Sequence, residues 1–463
     1  MEIVSPAGNV EKLYYAWSYG ADAAYIGLKS FSLRIKADNF YEDEYNKVIE
    51  LKKQFPGKKL FCALNISFHN RDLDNFIREI DYFKQYPIDS FIVSDMGVVN
   101  IIQKEFPHAA LHLSTQANCI NREAVKVYRD LGFKRVVLGR EASLDDIRRI
   151  KDENPEMELE VFAHGAMCIA YSGRCLLSAY MTGRSANSGF CSHSCRWDYK
   201  LLEEKERPGE YFPVYEGDDF TAILSSKDIC MIDHLDDMKK AGVDSLKIEG
   251  RMKSLYYAAL VTRSYRKAVD ALEGKIASEE AAPYIDELYK TNHREFATGF
   301  FYSQADANKT TRGETKSDWE LVGTIGKALS EEESEALFVK AEQEAMAFQN
   351  ELDAMHPEAK KARLKDLEMH PEKRYRPLEK KEGFRLYAFT ALNKLTESVI
   401  IEYIGPDIIS ISDTSFSFVA PEDASLLAWV TFNNECLIYT DKAVDEGFIV
   451  RSKTQNQGRD GSR

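Results

Sequence analysis

The sequence predicts an α/β protein: a (β/α)8 TIM-like barrel with a cysteine-rich insertion, then a small β-barrel or sandwich domain carrying a helical insertion. Three observations carry this expectation. Over roughly 250 residues, short apolar runs alternate eight times with amphipathic helical patterns, the arithmetic of an eight-stranded parallel barrel. Five of the chain's eight cysteines fall between Cys168 and Cys230, where the alternation is interrupted. From Trp319 onward, β-branched and aromatic runs bounded by turn residues replace the alternation.

Taken in order, the apolar runs place strands at Glu2–Val4, Ala23–Gly27, Leu60–Leu64, Ser90–Val93, Leu111–Ser114, Arg135–Leu138, Leu159–Ala163 and Ser245–Ile248. Helical patterns such as NVEKLYYAWSYG, LDNFIREIDYFKQY and REAVKVYRDLG lie between them. Several close on a glycine suited to a left-handed C-cap, as at Gly20 and Gly132. A doubly wound open sheet shares this alternation, but no G-x-G-x-x-G follows the first strand. A hairpin is expected from Tyr199–Glu204 with Glu210–Tyr215, then a strand at Thr221–Leu224, with Cys230 opening the next helix. The pattern SLYYAALVTRSYRKAVDAL closes the barrel domain near residue 275.

Residues 276–318 read as a helical and then irregular connection, and 319–453 as the small β domain. That domain is interrupted at about 341–382 by a charged, helix-prone excursion, and 454–463 reads as a disordered tail. Within the excursion, Lys360–Lys381 holds nine basic and four acidic residues. It reads as a solvated helical face, with a nucleic-acid contact as the alternative.

Composition is that of a globular protein: 463 residues, 44% hydrophobic and 29% charged, with a net charge of −14. That charge argues against a general nucleic-acid coat protein, though a local basic patch remains compatible with it. There is no apolar run of about 18 residues. The start, MEIVSPAGN, lacks signal-peptide character. The chain therefore reads as cytoplasmic, with no membrane partner. In that reducing compartment, clustered cysteines serve as ligands or reactive thiols rather than disulfides.

In a barrel, chemistry belongs where the strands end. The polar residues there are Ser5, Asn65, Asp95, Ser114 with Gln116 and Asn118, Arg140, His164, and Glu249 with Arg251. Singly, each reads as a turn-former or N-cap. Together they outline a polar pocket. His164 and Glu249 directly follow strands, which makes them the candidates for proton transfer. Asn65, Asp95, Ser114, Gln116 and Asn118 are candidate substrate contacts. Arg174, Arg184, Arg196, Arg251 and Lys253 suit phosphates or an acidic co-substrate.

The cysteines have spacings C-x6-C (Cys168, Cys175) and C-x3-C (Cys191, Cys195), with Cys230 downstream. Thiolates at glycine- and serine-rich positions suit a soft metal, and spacing alone leaves zinc and an iron–sulfur cluster both open. Unligated thiols are the alternative. Cys62, Cys119 and Cys436 sit on apparent strands or their ends and read as core residues. Hydrolase signatures are missing: neither H-E-x-x-H nor G-x-S-x-G occurs. A Cys168–His164 nucleophile pair has no recognisable third group to orient it.

The run EVFAHGAMCIAYSGRCLLSAYMTGR…GFCSHSCRWDY closely resembles the signature of peptidase family U-32, the collagenase-like proteases. The blocks SPAGNVEKLYYAWSYGADAAYIG, FSLRIKADNF, HLSTQANCIN, KRVVLGREASLDDI, SSKDIC and SLKIEGRMKS resemble it too. The resemblance covers Glu2 to about Ala271, and Ile400–Lys453 is similar to the family's small C-terminal domain. Despite the family's name, this resemblance implies a hydroxylase acting on transfer RNA, ribosomal RNA or a quinone precursor. Its transfer-RNA branch forms 5-hydroxyuridine at the wobble position, with prephenate required. The resemblance further implies a 4Fe-4S cluster on Cys168, Cys175, Cys191 and Cys230, with Cys195 as an alternative ligand, and an electron donor as partner. A peptidase, and an accessory subunit with a structural cluster, are the competing expectations.

Overall fold

The computed structural model describes residues 1–28, 31–32, 40–41, 43–168, 170–197, 215–217, 220–222, 226–303, 314–315, 317–370, 373–432 and 434–454. The chain divides into two compact units, Met1–Lys316 and Ser317–Arg463.

The first unit is a closed parallel barrel. Its strands are β1 (Glu2–Pro6), β2 (Ala23–Ile26), β3 (Lys59–Leu64), β4 (Ser90–Val93), β5 (Ala110–Leu113), β6 (Arg135–Val137), β7 (Glu158–Ala166) and β8 (Ser245–Ile248). Each pairs in parallel with its neighbour, and β8 pairs with both β7 and β1, which closes the ring. The helices include α1 (Val10–Ser18), α2 (Glu44–Gln54), α3 (Asn70–Phe83), α4 (Val99–Glu105), α5 (Arg122–Asp130), α6 (Leu144–Glu153), α7 (Leu177–Thr182), α8 (Leu235–Lys240), α9 (Leu255–Leu272) and α10 (Ser278–Leu288). Local chemistry starts several of them. The side chains of Asn9, Asn121, Ser143 and Ser254 accept hydrogen bonds from the backbone N–H three residues on.

Side-chain alternation along the strands makes two cores. Ile3, Leu60, Phe91, Val136 and Val161 face the helices, whereas Val4, Tyr25, Phe61, Ile92, Val137 and Phe162 fill the barrel interior. The interior also holds charge. Glu160, fully buried, accepts from Lys247 Nζ at 2.6 Å and Arg135 Nη1 at 2.8 Å. Arg135 also pairs with Glu158 and Glu2. Burial alone would raise the Glu160 carboxyl, but the Lys247 and Arg135 charges outweigh it and bring it down to about 2.

Cys230 does not open a helix. It ends a short strand, Asp228–Cys230, antiparallel to the part of β7 that runs past the barrel, with Cys230 opposite His164. Phe296–Ala297 adds in parallel to the other edge of that strand. Asp228 is gripped by Arg294, whose N–H, Nε and Nη2 all donate to its carboxylate. The expected hairpin falls mostly outside the described residues; Tyr215–Gly217 pairs instead with Phe220–Ala222.

Among the described residues the second unit holds an eight-stranded antiparallel sheet, including β9 (Trp319–Ala328), β10 (Arg385–Ala391), β11 (Ile401–Ile404), β12 (Glu435–Thr440) and β13 (Ile449–Lys453), and a two-stranded one that pairs Leu395–Thr396 with Trp429–Val430. Val322, Phe389, Tyr403, Phe418 and Ile438 belong to its core. The helical insertion starts already at Glu331, giving α11 (Glu331–Ala354) and α12 (Pro357–Met369). A capping box of Ser330 and Glu333 sets that start. Of the nine cations in Lys360–Lys381, Lys360, Arg363, Lys373, Arg376 and Lys380 are paired with carboxylates of the same unit. This favours the solvated face over the nucleic-acid contact. The tail 455–463 lies outside the described residues. Among the described residues, no helix is long and apolar enough to cross a membrane.

Candidate active site at the barrel mouth

A pocket opens at the C-terminal ends of the barrel strands, where the parallel topology directs their following loops. Its lining includes Tyr25, Ile92, Val137 and Phe162 from the strands. Lys247 Nζ lies 4.6 Å from the Tyr25 ring centroid and 5.8 Å from that of Phe162. The Arg140 guanidinium stacks on Phe162, with Cζ 3.8 Å from the centroid, and its Nη2 is 3.4 Å from Glu249 Oε2. Arg251, 3% exposed, donates from Nη2 to Ser32 Oγ at 2.8 Å. Asn65 Nδ2 donates to Ser114 Oγ at 3.2 Å, and Gln116 completes this side.

Arg140, Arg251 and Lys247 therefore face the pocket with one carboxylate, Glu249, among the described lining residues. Glu160 neutralises Lys247 from below. The excess is positive and planar, and it suits a carboxylate or phosphate next to a flat ring.

Of the expected contacts, Asn65, Ser114, Gln116, Glu249 and Arg251 line this pocket. Asp95 and Arg174 line an adjoining groove with Asn65, Gln116 and Asn187. The Asp95 carboxylate already accepts from the N–H groups of Phe68 and Gly97, as a turn-former does. Asn118 is in the left-handed region at φ 53° and donates to Glu141 Oε2 at 3.1 Å, away from the pocket. Lys253 lies 5.3 Å from the Tyr257 ring centroid and does not line the pocket.

His164, expected at the pocket, lies apart from it. A register shift between β7 and β8, where Lys247 pairs with Phe162 but Ile248 with His164, turns its ring out of the barrel. It packs among Tyr257, Tyr265 and Phe296 and is 1% exposed. Burial lowers its pKa to about 3, so the ring is neutral at physiological pH. His164 is not among the residues that line the pocket, whereas Glu249 is.

The sequence reading missed Tyr25, Phe162, Lys247 and Glu141. Lys247 and Glu160 did carry a signal, since a charge within an otherwise apolar buried strand requires a partner at matching depth.

The cysteine segment is seated on the mouth by polar attachments. Glu141 Oε1 accepts from Ser172 N at 2.7 Å, and Ser172 Oγ accepts from Arg140 N at 3.3 Å. Gly173, at φ +73°, lies so close to the Gln116 carbonyl that a Cβ would be 2.0 Å from its oxygen. Asn187 accepts from Ser67 N through its carbonyl and donates from Nδ2 to the Cys175 carbonyl.

Cys168 is exposed, and Cys175, Cys191, Cys195 and Cys230 are partly so. Cys62, Cys119 and Cys436 are buried, which pushes their thiols up to about 12, 11 and 12. Burial also pushes Cys230 up to about 11, so a thiolate there calls for the charge of a bound cation. None of the eight is in a disulfide. The donor set suits a thiophilic metal, yet among the described residues no three His, Cys, Asp or Glu side chains converge as a metal-binding group.

The family model for peptidase family U32 matches residues 8–311. The chain is 37% identical over 342 residues to tRNA hydroxylation protein P of Escherichia coli (strain K12), covering 65% of this chain and 74% of that protein. It is 39% identical over 330 residues to tRNA hydroxylation protein P1 of Bacillus subtilis (strain 168), covering 70% and 76%. It is also 36% identical over 301 residues to the 23S rRNA 5-hydroxycytidine C2501 synthase of Escherichia coli (strain K12), covering 64% and 44%. The matched span takes in barrel strands β2 to β8, the mouth pocket and the cysteine segment, and by that match the chain belongs to peptidase family U32.

Proposed function

We propose that this family U32 enzyme hydroxylates RNA, forming 5-hydroxyuridine in transfer RNA with prephenate as an acidic co-substrate. The observation that carries the reading is the mouth pocket: a guanidinium stacked on Phe162 and joined to Glu249, beneath a cysteine-rich segment. A ring-bearing carboxylate matches Arg140 and Arg251 by charge, and the aromatic lining from Tyr25 and Phe162 suits a ring beside it. The relatives named for RNA hydroxylation support the reaction class. Ring hydroxylation is a two-electron oxidation, so the proposal requires an oxygen-atom donor as the oxidant. As the C–O bond forms the ring carbon loses its proton, and Glu249, on the pocket wall, is placed to accept it.

We assign a 4Fe-4S cluster to Cys168, Cys175, Cys191 and Cys230, with Cys195 as alternative ligand. Bound, it supplies electron transfer, fed by a separate electron donor. Metal binding is coupled to the ordering of its ligands, so this assignment requires the thiols to converge as the cluster binds. Zinc fits the same thiols but brings no redox chemistry.

The peptidase alternative needs a base within reach of its nucleophile. His164 is instead buried in the outer layer. The test is mass spectrometry of transfer-RNA nucleosides from a strain lacking this chain. Hydroxyuridine should disappear and return on complementation; an unchanged level rejects the assignment.

A further inference from the structure

The cysteine segment displays large apolar side chains to solvent. Tyr171 is 56% exposed, Tyr180 87%, Phe190 43% and Trp197 41%, each on residues 171–197 above the barrel mouth. The fold of the segment makes this display obligatory for Tyr180. Ser178, two positions earlier on α7, is buried and shares hydrogen bonds with Ser192 and the Arg184 carbonyl. A step of two residues along a helix turns about 200°, so the face opposite Ser178 points to solvent.

The charge of the segment is equally one-sided. Between Glu160 and Asp198 the chain has no acidic residue, while Arg174, Arg184 and Arg196 are spaced among the aromatics. In a chain of net charge −14, this is a local positive stretch. Arginines interleaved with exposed aromatic faces are the chemistry that holds single-stranded nucleic acid, through phosphate contacts and base stacking. The same geometry poses the need. A base can enter the mouth pocket only after leaving its stack, and its neighbours are then left without partners.

We propose that this segment is a stacking platform for a single-stranded RNA loop, with Tyr180 as its principal stacking residue. The platform holds bases flanking the one delivered to the pocket, and Arg174 and Arg184 meet the intervening phosphates. The inference rests on the RNA-hydroxylase reading and adds where the RNA is gripped. A docked acidic protein, such as an electron donor, is the competing occupant.

The test measures binding of the full-length, anaerobically purified protein to a fluorescent RNA stem-loop and to a fully paired RNA of the same length. Tyr180→Ala should weaken stem-loop binding about tenfold, as loss of one stacked base does, and leave duplex binding unchanged. Tyr180→Phe, which keeps the ring, should bind as the parent does. If Tyr180→Ala binds the stem-loop as tightly as the parent, or Tyr180→Phe is as weak as Tyr180→Ala, the platform is overturned. It is likewise overturned if the parent does not bind the stem-loop, or if Tyr180→Ala weakens only binding to an acidic ferredoxin-type protein. Hydroxyuridine in the deletion strain decides the RNA-hydroxylase reading separately from all of these.

Discussion

Arg140 sits over the Phe162 ring, its Cζ 3.8 Å from the centroid, while its Nη2 reaches toward Glu249 Oε2 at 3.4 Å. The guanidinium thus couples the interior face of β7 to the acid that follows β8. It is 9% exposed at the side chain, so its charge acts in a medium where water screens little.

Stacking of this kind needs a planar cation, which lysine is not. Arg140→Lys should keep the net charge but lower kcat/KM for prephenate about tenfold, the scale of a desolvated cation–π contact together with a charge-assisted hydrogen bond. The measurement is hydroxyuridine formation against prephenate concentration. Unaltered kinetics would show that Arg140 does not hold the co-substrate.

Glu249→Gln preserves shape and removes the proton acceptor. Hydroxylation should fall by about a hundredfold or more, the usual reach of general base catalysis, while stem-loop binding stays intact. Activity near the parental level would remove Glu249 from the chemistry.

The barrel was legible because its signal is periodic. Ser90–Val93 and Ser245–Ile248 were placed at their observed bounds by apolar runs alone. His164 was misplaced for a local reason: a shift in strand register reverses which face a side chain takes, and composition does not record it. Asp95 and Asn118 were indistinguishable in sequence from pocket residues, yet the Asp95 carboxylate accepts from the N–H groups of Phe68 and Gly97 in the loops after β3 and β4, and the Asn118 amide donates to Glu141 in the loop after β6. Glu141 was invisible because its partner, Ser172, is a distant backbone amide.

Glu160 is the charge on which the interior of the barrel depends. Glu160→Gln would remove the fully buried carboxylate that Lys247 and Arg135 share, at a cost of about 3–5 kcal/mol. Because the carboxyl is depressed to about 2, its stabilisation is complete above the ordinary carboxylate range and is lost as pH falls through that range toward about 2. Urea denaturation at neutral and acid pH should show the parent losing stability on acidification. The variant should be weaker at neutral pH and less sensitive to acid. An equal acid response in both proteins would mean that other carboxylates dominate.

Cys191 and Cys195 compete for one place in the proposed cluster, and the two differ in setting. Cys191 follows Gly189 and Phe190 at the exit of a tight turn, and Ser192 beside it is anchored to Ser178. Cys195 is in a short helical turn, Ser194–Arg196, entered through His193 at a positive φ of 56°. If Cys191 is the ligand, Cys191→Ala should lose iron and visible absorbance after anaerobic purification, whereas Cys195→Ala should keep both. The reverse result reassigns the ligand to Cys195. Loss in both leaves neither preferred, and a colourless, zinc-bearing parent protein removes the cluster itself. Cys168→Ala serves as the reference, since both ligand sets require it, and Cys436→Ala as the control, since that thiol is buried in the sheet of the second unit.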